Sequence, residues 1–153
     1  MNFTDMRRLF RGRKYRSGVR WCLLRWTDVD PVGKGDVYLT RLHIVQTPWF
    51  SIMLHWLRRP DPQPDLHDHP NDFISIVIRG GYTELRDGPL GHRNKVKITF
   101  LNTIRAEDRH KIVEVERNTT TLVFANAVRR EWGFWRDDEF ISWRKYNFLD
   151  YDI

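Results

Sequence analysis

Two histidines separated by one residue are the side chains of this sequence best suited to chemistry. His67 and His69 flank Asp68, and an apolar run over Phe73–Ile78 follows them. Because side chains alternate between the two faces of an extended strand, both imidazoles are expected to point to the same side. Imidazole nitrogens held in this way can bind one transition metal together. A third histidine, His110, lies 41 residues beyond His69 and could complete a three-nitrogen face from a neighbouring strand.

Many short strands must position these histidines. Runs rich in β-branched and aromatic residues recur at intervals of roughly 8 to 15 residues, and no long amphipathic helix interrupts them. A proline-rich loop over residues 59–65 delivers the chain to the histidine pair. The pattern predicts an all-β barrel or sandwich with short helical or irregular ends. The predicted strands are Val19–Trp26, Val37–Gln46, Trp49–Leu57, Phe73–Ile78, Tyr82–Arg86, Lys95–Leu101, Lys111–Val115, Thr120–Ala125 and Phe134–Trp143.

The length and the cysteine content limit the classes of protein to consider. With 153 residues the chain fits one domain, which we place at residues 19–153, preceded by an arm over residues 1–18. The one cysteine, Cys22, excludes an internal disulfide and fits a reducing compartment, so a cytoplasmic location is expected. The longest stretch without acidic or basic residues, Leu42–Leu57, is too short and too polar for the roughly 20 apolar residues of a membrane span.

The positive charge is concentrated at the N-terminus. Residues 1–26 carry eight basic residues and one acidic residue, whereas the other 127 carry 18 basic and 19 acidic residues. Such an arm can contact the phosphates of a polyanion or dock on an acidic surface. It can equally be a solvated tail or a basic rim to the first strand, and the sequence leaves these alternatives open.

The histidine motif resembles the first conserved motif of the cupin superfamily, whose members are small β-barrels of the jelly-roll kind. His67 and His69 fit its His-x-His element, and Gly80 or Gly81 stands where the motif closes with glycine. His110 stands at the histidine of the second cupin motif. The resemblance implies a cupin-type jelly-roll β-barrel with a metal held by these three histidines. It also implies a homodimer, because cupins commonly pair and an open jelly-roll has strand edges to cover.

The sequence departs from the cupin pattern at the carboxylate ligand. Phe73 or Ile74 occupies the place of the usual glutamate, and Asp61 occupies that of the opening glycine. Asp72, one residue early, is the natural substitute as a metal ligand or catalytic group, or else it forms an Asx turn or orients a histidine. Glu107 could hydrogen-bond a histidine or act as a catalytic base, or it is a loop carboxylate.

A closer resemblance is to small cupin-like proteins of bacterial and phage genomes. Three segments carry it: His-Asp-His-Pro-x-Asp-Phe at 67–73, Arg-Ala-Glu-Asp-x-His at 105–110 and Arg-Glu-Trp-Gly-Phe at 130–134. It extends over roughly residues 37–146. It is specific for the fold and implies no particular reaction.

The remaining histidines and the C-terminal aromatic residues fit no ligand spacing. His43, His55 and His92 are interpreted as structural or exposed. Trp132, Phe134 and Trp135 follow the strand period, which indicates core positions, with lining of a pocket as the alternative. These residues therefore enter the predicted site only as its surroundings.

Three functions remain open. The first is a metal-dependent cupin enzyme acting on a small polar substrate with one divalent ion, Fe, Zn, Mn or Ni, since neutral imidazoles suit all four. Iron would imply dioxygenase-type chemistry, and zinc or manganese isomerase-type or lyase chemistry. The second is a non-enzymatic module, such as a phage-encoded one, that binds a small ligand in the barrel or a partner through the basic arm. The third is a nucleic-acid-associated modification enzyme, in which the arm contacts phosphates.

Overall fold

Short antiparallel strands account for most of the residues that the structure describes. The computed structural model describes residues 21–30, 35–88 and 91–146, which contain twelve strands and one short helix. The elements are β1 (Cys22–Val29), β2 (Leu39–Gln46), β3 (Phe50–Leu57), β4 (Leu66–His67), β5 (Phe73–Arg79), β6 (Tyr82–Asp87), β7 (Arg93–Ile98), β8 (Leu101–Ile104), β9 (His110–Val115), β10 (Thr119–Asn126), β11 (Gly133–Arg136), β12 (Glu139–Ser142) and α1 (Trp143–Tyr146).

The strands form two six-stranded antiparallel sheets. The first sheet has the order β1-β2-β3-β10-β5-β8, and the second has the order β12-β11-β4-β9-β6-β7. A core cluster joins them, with Leu39, Leu57 and Val77 from the first sheet packed with Tyr82 and Ile98 from the second. The predicted all-β, cupin-type jelly-roll is confirmed.

Strand β10 shows which side of the first sheet faces the interior. Its odd positions, including Thr121 and Val123, are buried, whereas Leu122 and Phe124 point outward and are half-buried or exposed. The alternation is the period of two expected for a sheet with one covered face. Residues paired directly with Thr121 therefore also face the barrel interior.

Two predicted strands are each divided in the structure. The run predicted over Lys95–Leu101 is split between β7 and β8, which belong to different sheets, and the chain crosses between them near Phe100. The segment predicted over Phe134–Trp143 is a hairpin of β11 and β12. Asp137 and Asp138, both with positive φ (49° and 65°), form its turn, since two consecutive left-handed residues suit a tight hairpin.

Part of the sequence interpretation falls outside the described residues. The basic arm predicted over residues 1–18 and the tail after Tyr146 lie there, so the domain boundary stays a prediction. Within the described part of the chain, no helix has the length and apolar character needed to cross a membrane.

Gly80, at the closing position of the histidine motif, adopts a conformation that disfavours side chains. Its φ is +73°, and an added Cβ would lie 2.5 Å from Thr119 Oγ1 and 2.9 Å from Thr119 Cα. Thr119 is fully buried and donates a hydrogen bond to the Gly81 carbonyl, so it cannot move aside easily.

We therefore expect Gly80→Ala to lower the free energy of unfolding by about 2 to 4 kcal/mol, from backbone strain and overpacking combined. Gly91→Ala is the matched control, because Gly91 also has positive φ (+75°) but no described atom lies within 4 Å of its added Cβ. Urea denaturation measures both variants. An equal loss of unfolding free energy in the two variants would contradict the proposed clash with Thr119.

Candidate metal centre

Strand pairing in the second sheet brings the histidines together. His67 ends β4 and is paired with His110 at the start of β9 on one side and with Phe134 of β11 on the other. His69 follows β4, and its backbone N–H donates to the Ala106 carbonyl at 3.0 Å. Neighbouring segments thus fix the backbone at all three histidines.

The three imidazole rings form one cluster. His69 Nε2 and His110 Nε2 are 2.7 Å apart, and one ring nitrogen from each histidine lies within 4.8 Å of the others. The ring centroids of the three pairs are 5.0 to 5.1 Å apart. His110 is buried, and His67 and His69 are half-buried. The structure thus brings together the three histidines that the sequence singled out.

Burial keeps two of these rings neutral. It lowers the pKa of His67 and of His69 well below the usual range, and the positive charge of His110 and of Arg41 adds to the shift in both. A neutral imidazole has a free nitrogen lone pair and is the form that coordinates a metal. The environment therefore favours the ligating form at ordinary pH.

Glu84 supports His110 from the side away from the cluster. Its carboxylate is almost fully buried, and its Oε1 lies 3.1 Å from His110 Nδ1. Burial opposes the charge of the Glu84 carboxyl, but its contacts with His110 and Arg86 hold its pKa below the usual value. Arg86 Nε and Asn102 Nδ2 donate to Glu84 at 2.8 and 2.9 Å, which fixes the carboxylate in place. Such outer carboxylates typically orient metal-binding histidines.

Asp61 has a similar position beside His67. Its Oδ2 lies 3.8 Å from His67 Nδ1 and accepts a hydrogen bond from the Ile112 backbone N–H at 2.8 Å. Burial raises the pKa of this carboxyl to about 6, against the stabilising effect of the Ile112 N–H on its charge. Asp61 replaces the opening glycine of the cupin motif, and at this position its carboxylate lies beside His67.

Asp68, between the two histidines, points the opposite way and is fully buried. Its Oδ1 accepts from the Gly133 N–H at 2.8 Å. Its Oδ2 accepts from Arg130 Nη1 at 2.8 Å and from Trp135 Nε1 at 3.0 Å. These bonds tie the histidine segment to β11, so Asp68 is the structural anchor of the site.

Asp72 and Glu107 lie outside the histidine cluster. Both pair with Arg129, whose Nη2 donates to Asp72 Oδ1 at 2.9 Å and whose Nη1 donates to Glu107 Oε1 at 2.7 Å. Asp72 also accepts from the Ala106 N–H at 2.7 Å, and this bond is the first cause of its lowered pKa. Because Ala106 in turn receives the His69 N–H, Asp72 braces the loop that holds His69.

The aromatic residues near the C-terminus border the site and also belong to the core. Phe134 is buried, and its ring centroid lies 6.0 Å from that of His67. Trp132 lies 6.5 Å from His67 and stacks on Trp143. The Arg109 guanidinium lies 3.5 Å above the Trp135 ring. Trp132 and Phe134 thus form an apolar wall beside the histidines.

The other histidines differ in their surroundings. His92 is exposed. His43 is buried, its Nε2 lies 3.3 Å from Thr27 Oγ1, and burial with the charge of Arg25 lowers its pKa to about 4. Burial also lowers the pKa of His55 well below the usual value. His43 and His55 therefore contribute neutral polar groups to the barrel interior.

The residues present fit a divalent transition metal. Imidazole nitrogens about 2.1 Å from one ion stand roughly 2.9 to 3.4 Å from one another, a spacing that a cluster within 4.8 Å reaches with small side-chain rotations. The donor set is three imidazole nitrogens with outer carboxylates beside two of the rings, Glu84 and Asp61. Three protein ligands leave coordination positions open, as in catalytic sites.

Solved structures share the architecture described above. One is a predicted mannose-6-phosphate isomerase from Ralstonia eutropha JMP134, with 13% identity, 66% of this chain and 98% of that chain covered, and a TM-score of 0.50. Another is the Fe(II) form of HppE, with 11% identity, 82% of this chain and 76% of that chain covered, and a TM-score of 0.50. KdgF from Halomonas sp. has 17% identity, covers 71% of this chain and 96% of its own, and gives a TM-score of 0.49.

The fold and the comparisons define the class of protein. The isomerase and HppE structures are cupin-fold proteins, and this chain has the cupin fold. No family model matches the sequence, and the search of curated proteins finds no significant relative. The likeness is therefore one of fold, and the site has to be interpreted from its own residues.

Proposed function

We propose that the protein is a metal-dependent cupin enzyme that acts on a small polar substrate. The observation that carries the proposal is the cluster of His67, His69 and His110, with His69 Nε2 and His110 Nε2 only 2.7 Å apart. A bound divalent ion would supply Lewis-acid chemistry or, with a redox-active metal, oxygen chemistry at its open positions.

The residues around the cluster prepare it for this role. Glu84 and Asp61 lie beside the Nδ1 atoms of His110 and His67, which leaves the Nε2 atoms of both rings available to a metal. Asp68 and the Asp72–Ala106 bond hold the segment that carries His67 and His69. Such an arrangement limits the reorganisation that coordination would otherwise require.

The reaction class depends on the metal. HppE, whose fold is similar, is described with Fe(II), which favours testing iron first. With iron we propose dioxygenase-type chemistry, and with zinc or manganese isomerase-type chemistry; nickel completes the candidate set. Asp72 and Glu107 stay proposed catalytic groups, and their ion pairs with Arg129 would have to open for Asp72 to reach the metal.

Elemental analysis of the full-length protein, purified without a histidine tag, tests the proposal. We expect about one divalent transition metal per chain, as purified or after anaerobic loading, because three imidazole nitrogens lie close enough to share one ion. Iron would direct the next assay to oxygen consumption, and zinc or manganese to isomerisation of hydroxy- or keto-compounds. Less than about a tenth of an ion per chain after loading with each candidate would contradict the proposal.

A non-enzymatic ligand-binding module is the second candidate. The same short distance favours it, because two ring nitrogens 2.7 Å apart, His69 Nε2 and His110 Nε2, can form a hydrogen bond with each other in the absence of a metal. A barrel without metal would then hold its ligand in a polar interior. The metal content separates the two candidates directly.

Further features from the sequence complete the proposal. A homodimer is consistent with exposed apolar side chains on the outer face of the first sheet, among them Ile74, Ile78 and Phe124. Contact of the basic arm with a polyanion and a cytoplasmic location stay predictions from charge and from the free Cys22.

A further inference from the structure

A row of paired residues across the first sheet places the positively charged Arg41 on the inner face of the barrel. Arg41 of β2 is paired with Thr27 of β1 and with His55 of β3, and His55 is paired in turn with Thr121 of β10. Direct cross-strand partners share one face. Because Thr121 is only 2% exposed, this face is the barrel interior, and Arg41 and His55 lie along it.

The Arg41 guanidinium is incompletely satisfied in this position. Its Nε is shielded from solvent and has no hydrogen-bond partner among the described residues. No carboxylate in the described part of the chain forms an ion pair with Arg41. The Nε2 atom of His55 is also shielded from solvent and has no hydrogen-bond partner among the described residues. Buried polar groups of this kind normally have partners, so the shielded Nε donor of Arg41 points to a missing acceptor.

Arg41 shares the interior with the histidine cluster. His67 is the direct cross-strand partner of His110 and of Phe134, and because both of these are buried, the cluster lies on the inner face of the second sheet. The nearby acids are already engaged: Glu84 with Arg86 and His110, and Asp61 with the Ile112 N–H. Among the described residues, these two carboxylates have other partners and form no ion pair with Arg41.

We propose that Arg41, assisted by His55, binds an anionic group of the substrate, a carboxylate or a phosphate, while the rest of that substrate reaches the histidine cluster. The proposal rests on the proposed function, since it names the substrate class of the same site. A guanidinium presents parallel N–H donors that match both anions in a bidentate manner. The neutral His55 ring can add one further donor through Nε2.

The test measures binding of two probe anions, inorganic phosphate and malonate, to the full-length protein by calorimetry and thermal shift. Each is measured with metal-free and with metal-loaded protein. At least one anion is expected to bind wild-type protein, and Arg41→Gln is expected to weaken that binding at least tenfold. Arg79→Gln is the matched control, because Arg79 lies exposed at the end of β5. This variant should bind the probe anions as tightly as the wild type does. Preference for malonate would identify a carboxylate group, and preference for phosphate a phosphate group.

Arg41→Lys is a second variant, for the case that Arg41→Gln does not fold. Lysine keeps the positive charge but lacks the planar guanidinium with its parallel donors, so we expect it to weaken anion binding severalfold. Unchanged affinity in the Arg41 variants, or no binding of either anion to wild type up to about 10 mM, would overturn the proposal. Anion binding that depends on Arg41 in a protein that takes up no metal would refute the metal chemistry alone. Metal uptake without Arg41-dependent anion binding would refute the anion site alone.

Discussion

Replacing His67 and His69 together with alanine is expected to abolish metal binding while the barrel stays folded. The double variant removes two of the three nitrogens that converge in the cluster, and His110 alone cannot retain a divalent ion at micromolar concentration. The five buried residues of the cluster that joins the two sheets, Leu39, Leu57, Val77, Tyr82 and Ile98, are unchanged in this variant, so we expect the barrel to stay folded. Metal content by elemental analysis and far-ultraviolet circular dichroism together measure the two halves of this expectation.

His92→Ala is the control for the double variant, because His92 is exposed and fits no ligand position. It should bind as much metal as the wild type and have the same spectrum. A double variant that kept its full metal content would refute the assignment of these histidines as ligands. A double variant that lost its β-sheet spectrum would show that the two rings are needed for the fold.

Asp68→Ala is expected to have the largest effect on stability, a loss of about 3 to 5 kcal/mol in the free energy of unfolding. Asp68 is fully buried and accepts from three donors, the Gly133 N–H, Trp135 Nε1 and Arg130 Nη1. Alanine would leave these donors without their acceptor and the Arg130 cation without its counter-charge. Urea denaturation of purified variants gives the difference.

The control for Asp68 is an exposed carboxylate with an arginine partner. Glu107 pairs with Arg129 at the surface, and exposed ion pairs contribute little to stability. Glu107→Ala should therefore unfold close to the wild-type midpoint, and its activity, once an assay exists, tests its proposed catalytic role. If Asp68→Ala were as stable as Glu107→Ala, Asp68 would not be the anchor described above.

The sequence predicted the parts of this protein that depend on local patterns. The resemblance of the His67 and His69 motif, with its closing Gly80 or Gly81, to the first cupin motif implied the jelly-roll, because all of these residues are close together in the sequence. The all-β architecture was predictable for the same reason, since strand runs and turn residues recur along the chain.

The errors arose where the decisive interaction lies far along the chain or in a short turn. The crossing near Phe100 between β7 and β8 interrupts a run that looks continuous in sequence, because each half pairs in a different sheet. The turn at Asp137 and Asp138 could have been found, since two adjacent aspartates suit a hairpin turn in the left-handed region.

The residues that support the cluster were also missed as site residues. Glu84 approaches His110 from β6, 26 positions earlier in the chain, and only the fold reveals this contact. One signal was present, since Glu84 and Arg86 are opposite charges two residues apart in a predicted strand and therefore share a face. Arg41 and His55 were missed for a similar reason. They are direct partners on two different strands, and no local sequence pattern connects them.

The most direct test of the central claim is a crystal structure of the metal-loaded protein with anomalous diffraction recorded at the absorption edge of the bound metal. We expect one strong anomalous peak per chain, about 2.0 to 2.2 Å from a ring nitrogen of each of His67, His69 and His110. A peak elsewhere in the molecule, or no peak in protein shown to contain the metal, would contradict the assignment of these three histidines as the metal centre.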